Sequence, residues 1–378
     1  MKKALLLGAC GGLLAVIGAS GCSSSAQSSG SGGTSMPPAD GTSGGGGTTP
    51  GSGSTGASGS SSSSSAGGGS TGGTSTPGQT TAAGILTAGM WDDGLNHDFF
   101  GKYVASHPNL PGDPGFDSAA YAGAAQEFAQ RATHTQVDAA IVLDTTGSMG
   151  DEIQYLTSEF GSISAAISAK YPGAAQRWSL VVYRDVGQGD AYTVRSFDFT
   201  SSATAFATTI GAQTADGGGD FPESPELGIN ELAKLSWRTD PAVAKVAFWV
   251  ADAPHHDENA AAMKQAIKGA HDRGIHLYPV SASGTDDLLE LTMRSAAEIT
   301  GGRYMFLTND SGVGDAHKTP EIPCYYVTKL GSGIVRAIGM ELSGRYASPL
   351  ATEILRTSGT PTADGTCTTA DGQTVHIF

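Results

Sequence analysis

The chain has 378 residues, and its 36 acidic residues outnumber its 21 basic residues, which gives a net charge of −15. Such a chain should not bind nucleic acid or anionic lipid through its overall field, so we exclude both as general partners. The length is sufficient for one or two domains with a large core.

Residues 1–21 have the pattern of a secretory signal. Lys2 and Lys3 precede the apolar run ALLLGACGGLLAVIG, which is too short to span a bilayer. Cys22 stands where bacterial lipoproteins carry their lipidated cysteine, and the alternative is ordinary cleavage nearby and release. We therefore expect an exported protein that is held in the bacterial cell envelope, at the outer membrane or cell surface, through its N-terminal lipid only.

Residues 22–84 predict a disordered tether. They are mainly Gly, Ser and Thr with scattered Pro, and Asp40 is the only charged residue among them. A segment of this composition cannot bury enough apolar surface to offset the entropy of ordering its backbone.

Residues 85–136 bring back aromatic side chains and predict an ordered lead-in segment. We expect Trp91, Phe99 and Phe100 to anchor this segment by packing on the domain that follows. The stretch DDGLNHD at 92–98 is rich in potential metal ligands, but its spacing does not fit the D-x-[DN]-x-[DN]-G pattern of an EF-hand loop. We therefore assign no metal site to it.

Residues 137–344 alternate between strand and helix patterns. VDAAIVLD, at 137–144, is a continuous apolar run typical of a buried strand. The helix pattern that follows it has its apolar face at Ile153, Leu156, Phe160, Ile163 and Ile167. Further strands are predicted over 177–185, 192–200, 245–252, 275–282 and 303–308, and further helices over 223–237, 258–274, 287–302 and 329–344. This alternation predicts an α/β fold with a doubly wound, mostly parallel sheet flanked by helices.

Residues 345–378 are polar and rich in turn residues, and they predict an appended C-terminal tail. Cys10 leaves with the signal and Cys22 is the lipid site, so Cys324 and Cys367 remain in an oxidising compartment. We expect a disulfide to hold the tail to the domain, with two free thiols as the alternative.

Three loops that follow predicted strands or precede helices carry carboxylates and hydroxyls. DTTGS places Asp144, Thr146 and Ser148 at alternating positions, ADGGGDFPES contains Asp220, and VADAPHHDE places Asp252 at a strand end. In an open α/β sheet, ligands bind beyond the carboxyl ends of the strands. Because these are hard oxygen ligands, we predict a divalent cation at this edge, Mg²⁺ first and Ca²⁺ or Mn²⁺ as alternatives.

The pattern D-x-[ST]-x-S after a buried strand, with a later strand-end aspartate, resembles a von Willebrand factor type A domain with a metal-ion-dependent adhesion site. The resemblance covers roughly residues 137–344. It implies that Asp144, Thr146 and Ser148 form the first metal loop and that Asp252 belongs to the third. The lead-in segment and GGRYMFLTNDSGVGDAH also resemble a bacterial subfamily of exported proteins with this domain.

The second loop departs from the usual pattern of that family, which supplies a threonine. This chain has GGGDFPE, which looks like a variant of bacterial members, so Asp220 is the candidate ligand and Thr214 a weaker rival. An aspartate adds a third carboxylate around the cation, so we expect tight metal binding and weaker recruitment of acidic ligands. Glu223 either supports the site from outside or favours the start of the next helix.

The third loop also contains two adjacent histidines, His255 and His256, followed by two acidic residues. Adjacent residues rarely bind one metal ion together, and the H-E-x-x-H pattern of zinc proteases is missing. We therefore predict a capping or rim position for these histidines rather than a zinc site.

The resemblance, the lipid anchor and the tether together imply a membrane-anchored module that binds an unknown protein partner in a metal-dependent way, as an adhesin or scaffold and not as an enzyme. One alternative is a metal-dependent hydrolase or phosphatase that uses the cation as a Lewis acid. A haloacid-dehalogenase-like phosphatase, however, needs a second aspartate two residues after Asp144, where this chain has Thr146. The other alternative is a structural envelope lipoprotein in which the metal only supports folding.

Overall fold

A computed structural model describes residues 85–187, 189–313 and 316–378. The predicted signal, Cys22 and the tether lie outside these described residues. Within the described ranges, no helix has both the length and the apolar character needed to cross a membrane.

The described residues form strands at the following positions: β1 Thr87–Trp91, β2 Gln136–Asp144, β3 Ala175–Tyr183, β4 Val194–Thr200, β5 Val243–Ala251, β6 His276–Ser281, β7 Tyr304–Leu307, β8 Tyr325–Lys329, β9 Arg356–Ser358, β10 Thr366–Thr368 and β11 Thr374–His376. One sheet has the strand order β4-β3-β2-β5-β6-β7-β1-β8-β9, and β10 and β11 form a separate hairpin. Strands β3, β2, β5, β6 and β7 are parallel, whereas β4, β1, β8 and β9 pair antiparallel with their neighbours. The predicted fold class is confirmed.

The helices cover both faces of the sheet and lie at the following positions: α1 His97–Ser106, α2 Ser118–Glu127, α3 Gly150–Lys170, α4 Ala203–Gly211, α5 Pro225–Leu232, α6 Ala260–His271, α7 Asp287–Thr300 and α8 Leu330–Ser343. Helices α1, α2, α5, α6 and α7 pack on one face, and α3, α4 and α8 pack on the other. The sheet is therefore the middle of three layers, and each face buries its own apolar core.

The apolar patterns in the sequence explain why strand β2 and helix α3 form. All residues of β2 after Gln136 are buried, as expected of a central parallel strand that is covered on both faces. The predicted apolar face of α3 is confirmed, since all five of its residues are buried. The connection between β2 and α3 is short, so the strand ends and the helix begins at the edge where the predicted first metal loop lies.

The lead-in segment contributes a strand to the sheet, beyond the predicted packing on its surface. Strand β1 pairs with β7 on one side and with β8 on the other. Two aspartates of the 92–98 stretch serve as counter-ions. Asp93 accepts hydrogen bonds from Arg294 at 2.7 and 3.0 Å. Asp92 pairs with Arg303 at 2.9 Å.

The C-terminal segment is also part of the packed structure. Strand β9 extends the sheet beside β8, and the last residue, Phe378, is fully buried. A disulfide joins Cys324, just before β8, to Cys367 in β10. The ordered unit therefore extends past both ends of the predicted 137–344 domain.

We expect the double substitution Cys324→Ala/Cys367→Ala to lower the free energy of unfolding. The disulfide closes a loop with a sequence separation of 43 residues. In the chain-entropy account, a loop of this size is worth about 4 kcal/mol. Urea denaturation followed by circular dichroism measures the change, and the reduced wild-type chain is the control that should match the variant. Equal unfolding midpoints for the oxidised wild type and the variant would contradict this expectation.

Candidate metal centre

The first loop begins where β2 ends, at Asp144. The carboxylate of Asp144 is fully buried, and its Oδ1 accepts hydrogen bonds from the backbone N of Thr146 at 2.9 Å and from its hydroxyl at 2.7 Å. The other oxygen, Oδ2, has no hydrogen-bond partner among the described residues. Ser148 is exposed within a single 3₁₀ turn, Gly147–Met149, that leads into α3.

The third loop follows β5, the strand that lies beside β2 in the sheet. Asp252 comes directly after this strand and is buried. Its carboxylate accepts a hydrogen bond from the Ser148 hydroxyl, which joins the first and third loops. Its Oδ1 has no hydrogen-bond partner within the described parts of the chain.

The second loop approaches the first through its glycine run. Gly217, Gly218 and Gly219 have φ values of 77°, 97° and 105°, in the left-handed region that side chains disfavour. The carbonyl of Gly217 accepts a hydrogen bond from the N of Gly147 at 3.2 Å. A Cβ on Gly218 would lie 2.8 Å from Glu223 Oε1 and 3.2 Å from Thr146 Cβ, so only glycine allows this approach.

Two acidic residues of the second loop reach the site in different ways. Asp220 is exposed and lies at the pocket wall, whereas Glu223 is buried with an Oε2 that has no hydrogen-bond partner in the described residues. The backbone N of Glu223 donates to the carbonyl of Pro254 at 2.8 Å, which fixes the second loop to the third. Thr214 is exposed and does not line the pocket.

These loops surround a pocket with a volume of about 310 Å³. The residues that line it are Ser148, Asp220, Phe221, Glu223, Asp252, Ala253, Ser283 and Gly284. Of the predicted ligands, Ser148, Asp220 and Asp252 line the pocket directly. Asp144 and Thr146 do not line it: the charge of Asp144 interacts with that of Asp252, and Thr146 donates its hydroxyl to Asp144.

Burial and mutual repulsion raise the pKa values of the carboxylates at this site. Burial, and next the negative charge of Asp252, raise the pKa of Asp144 to about 7. Burial, followed by the charges of Asp144, Asp185 and Asp252, raises the pKa of Glu223 to about 9. Burial also raises the pKa of Asp252. A cation in the pocket would stabilise the charged forms of all three, so this donor set fits a divalent metal ion.

The basic groups nearest the site already have partners. Arg184 lies 3.6 Å from Asp190, and it also donates to the carbonyl of Thr214 at 3.1 Å. Asp185 accepts hydrogen bonds from Ser224 at 2.9 Å and shares one with His256 at 2.8 Å. His256 is therefore partly exposed and held by a carboxylate, as a rim residue would be. The rim prediction is wrong for His255, which is buried and whose Nε2 donates to the Gly112 carbonyl at 2.7 Å.

Sequence reasoning did not identify a second group of potential ligands. One ligand atom each from His107, Asp287 and Glu321 lies within 4.8 Å of the others. The Lys318 ammonium lies 2.5 Å from Asp287 and 3.0 Å from Glu290, so part of the negative charge is already offset. Asp287 and Glu321 are exposed and far from one another in the chain, and no spacing in the sequence indicates that they meet.

Comparison with known proteins identifies a family model that matches the central part of the sheet. Residues 139–308 match the family model of the von Willebrand factor A domain. An alpha-protein kinase of Dictyostelium discoideum, vwkA, is 28% identical over 153 residues, which are 40% of this chain and 23% of the kinase. A putative ariadne-like RING finger protein of Acanthamoeba polyphaga mimivirus is 32% identical over 125 residues, which are 33% of this chain and 12% of that protein.

Among solved structures, the pilus adhesin SpaC of Lactobacillus rhamnosus GG aligns with a TM-score of 0.35 and 13% identity, over 45% of this chain and 28% of the adhesin. The chain therefore spans less than a third of each of these proteins. Residues 139–308, which match the family model, run from within β2 to just past β7. The similarity to the von Willebrand factor A domain is carried by residues 139–308 of this chain.

Proposed function

We propose that this chain is a membrane-anchored module that binds a protein partner through a divalent cation in its von Willebrand factor A domain. The observation that carries the proposal is a set of three buried carboxylate oxygens without hydrogen-bond partners in the described residues: Asp144 Oδ2, Glu223 Oε2 and Asp252 Oδ1. Buried charges are costly unless they are paired or bound to a metal ion. A cation at this sheet edge would supply the missing partner.

The donor set supports a hard cation, with Mg²⁺ as the first choice and Ca²⁺ or Mn²⁺ as alternatives. Asp144, Thr146, Ser148 and Asp252 would hold it from the first and third loops. From the second loop Asp220 is the predicted ligand, and the buried position of Glu223 makes this residue a further candidate. When bound, the cation supplies positive charge and a coordination position that an oxygen of the partner, such as a neutral carbonyl oxygen, can fill.

The proposed attachment of the chain to the membrane rests on the N-terminal sequence alone. We propose that Cys22 carries the lipid and that residues 22–84 let the domain reach away from the envelope membrane. A lipid anchor followed by a long tether suits a binding function, because a tethered domain can reach a partner while it stays attached to the cell.

A hydrolase is the less supported function. Thr146 occupies the position where a haloacid-dehalogenase-like phosphatase needs an aspartate, and its hydroxyl is already donated to Asp144. The kinase and RING finger names belong to relatives that this chain covers only in small part. Turnover of generic phosphate or ester substrates that is lost in Asp144→Ala would nevertheless support an enzyme.

We expect Asp252→Asn to weaken Mg²⁺ binding by about ten-fold or more, because it removes one of the buried negative charges. Isothermal titration of the full chain with Mg²⁺, Ca²⁺ and Mn²⁺ measures the change. Ser148→Ala, at an exposed position, should also weaken binding without disturbing the core. Asp364→Asn, which removes an exposed charge in a C-terminal turn, is the matched control and should bind as the wild type does.

Partner binding is tested by pull-down from an envelope extract in Mg²⁺ and in EDTA. A partner that is retained only with Mg²⁺, and that is lost in Asp252→Asn, supports the proposed function. No retained partner, together with loss of the folded state on chelation, would instead favour a structural role for the metal.

A further inference from the structure

The pocket in the von Willebrand factor A domain is surrounded by more negative charge than a divalent cation can offset. We infer that the partner presents a basic surface, with Lys or Arg side chains around an apolar one, and does not offer a carboxylate to the metal. This inference rests on the proposed function and specifies the chemical class of the partner.

The first step is the charge in and beside the pocket. Asp220, Glu223 and Asp252 line it, and the buried Asp144 faces Asp252. A divalent cation offsets two of these four charges when all are ionised. A partner carboxylate would therefore meet a site that stays negative, whereas a partner ammonium or guanidinium group would be attracted to it.

The second step is that two of these carboxylates cannot be satisfied within the described structure. Glu223 and Asp252 are 3% and 5% exposed, and each keeps one oxygen without a hydrogen-bond partner. Both side chains line the same pocket. The pocket is therefore a site that favours positively charged ligands.

The third step is the rim. Exposed carboxylates follow or precede the pocket residues within a few positions in the chain, namely Asp151, Asp216, Asp257 and Glu258. Of these, Asp216 lies 3.9 Å from the Arg184 guanidinium. The guanidinium of Arg184 is buried between Asp190 and Asp216 and offsets part of their charge, and His256 is held by Asp185. Asp151, Asp257 and Glu258 remain as exposed acidic groups. Acidic groups therefore outnumber basic ones beside the pocket, although the exposed Arg195 stacks on Tyr192, which shares a hydrogen bond with Thr145 of the first loop.

The fourth step is the apolar contact. Phe221 lines the pocket beside Asp220, and 49% of this large side chain is exposed. Val186, which is 55% exposed, follows Asp185 in the neighbouring loop. An exposed aromatic residue in an otherwise charged rim favours a partner that places one apolar side chain there, because aromatic residues dominate the energetics of many interfaces.

The test uses three fluorescent peptides with the same central Leu-Phe pair and flanks of Lys, Glu or Gln. Anisotropy titrations with the Mg²⁺-loaded full chain measure their affinities at low and high salt. We expect the Lys-flanked peptide to bind about ten-fold tighter than the Gln-flanked one and the Glu-flanked peptide to bind weakest. The Lys preference should shrink at high salt, since salt screens exposed charges.

Rim variants distinguish this site from general attraction to an acidic protein. Asp151→Asn/Glu258→Gln, at two exposed positions, should weaken the Lys-flanked peptide several-fold and leave the Mg²⁺ titration unchanged. Asp98→Asn/Asp364→Asn removes the same charge elsewhere on the surface and should have little effect. Phe221→Ala should weaken all three peptides by a similar factor.

The outcomes separate the two proposals. If Mg²⁺ binds but the Glu-flanked peptide binds tightest, or if no peptide binds, the basic-partner inference is wrong and the metal-dependent site stands. Equal effects of the rim and control variants on the Lys-flanked peptide also contradict the inference. If Mg²⁺ does not bind at all, the proposed function fails, and the inference that rests on it fails too.

Discussion

A chain cut to residues 137–344, the boundaries that the sequence pattern indicates, is expected to remain unfolded, whereas residues 85–378 are expected to fold cooperatively. The reason is strand β1, which lies between β7 and β8 and pairs with both. Without it, β7 and β8 each lose a neighbour, and the backbone groups that faced β1 lose their hydrogen bonds.

The side chains of the removed lead-in segment are also part of both cores. Leu86, Met90, Trp91 and Phe100 are almost completely buried. Burial of a large apolar side chain contributes roughly 1.5–3 kcal/mol, so these four account for roughly 6–12 kcal/mol. The total stability of a typical domain is about 5–15 kcal/mol, so the cut chain should lose most or all of it.

Thermal melts by circular dichroism and limited proteolysis distinguish the two fragments. A third fragment, residues 85–344, removes only the C-terminal segment and the disulfide, so it separates their effect from that of β1. A cooperative melt of the 137–344 fragment near the wild-type temperature would show that β1 is dispensable.

Arg294→Met is expected to lower the free energy of unfolding by about 3–5 kcal/mol, the usual cost of breaking a buried ion pair. The Arg294 side chain is fully buried in α7, where it binds Asp93 and lies 3.4 Å from Glu290. Its guanidinium also lies 3.7 Å from the ring centre of Tyr103. The substitution keeps much of the volume but leaves the Asp93 carboxylate buried without its counter-ion.

Urea denaturation of a double-mutant cycle tests this interaction. Asp93→Asn should cost clearly less in the Arg294→Met background than in the wild type, because the buried charge has then lost its partner already. Arg273→Met, at an exposed position on the neighbouring connection, is the matched control and should change stability by about 0.5 kcal/mol or less. Additive effects of Asp93→Asn and Arg294→Met would show that the pair is not coupled.

Local patterns in the sequence determined the central part of this protein. The apolar run of β2 and the apolar face of α3 each bury residues at a regular period, and this period can be read without knowledge of distant contacts. The order of such elements indicated the parallel core of the sheet. Since parallel strands end at one edge, it also indicated that the loops carrying Asp144 and Asp252 would meet.

Only the tertiary structure decided which other segments complete the fold. Strand β1 pairs with β7, more than 200 residues later in the chain, and no local pattern records such a partner. Helix α4 was not predicted, because its run of Ala and Thr between two other elements has no strong apolar period. The aspartates at 92 and 93 have the composition of a ligand cluster, and their pairing with arginines depends on where α7 and β7 lie.

The candidate metal site also has features that the sequence predicts and features that depend on the tertiary structure. Its alternating hydroxyls and strand-end carboxylates are a sequence feature, because ligand type and spacing are local. The burial of Glu223 beside Asp144 and the exposure of Asp220 depend on how the glycine run packs against the first loop. The sequence by itself thus determined that acidic residues gather at this sheet edge. Which of their carboxylates are buried without hydrogen-bond partners in the described residues was decided only by the packing of the loops, because burial depends on the whole fold.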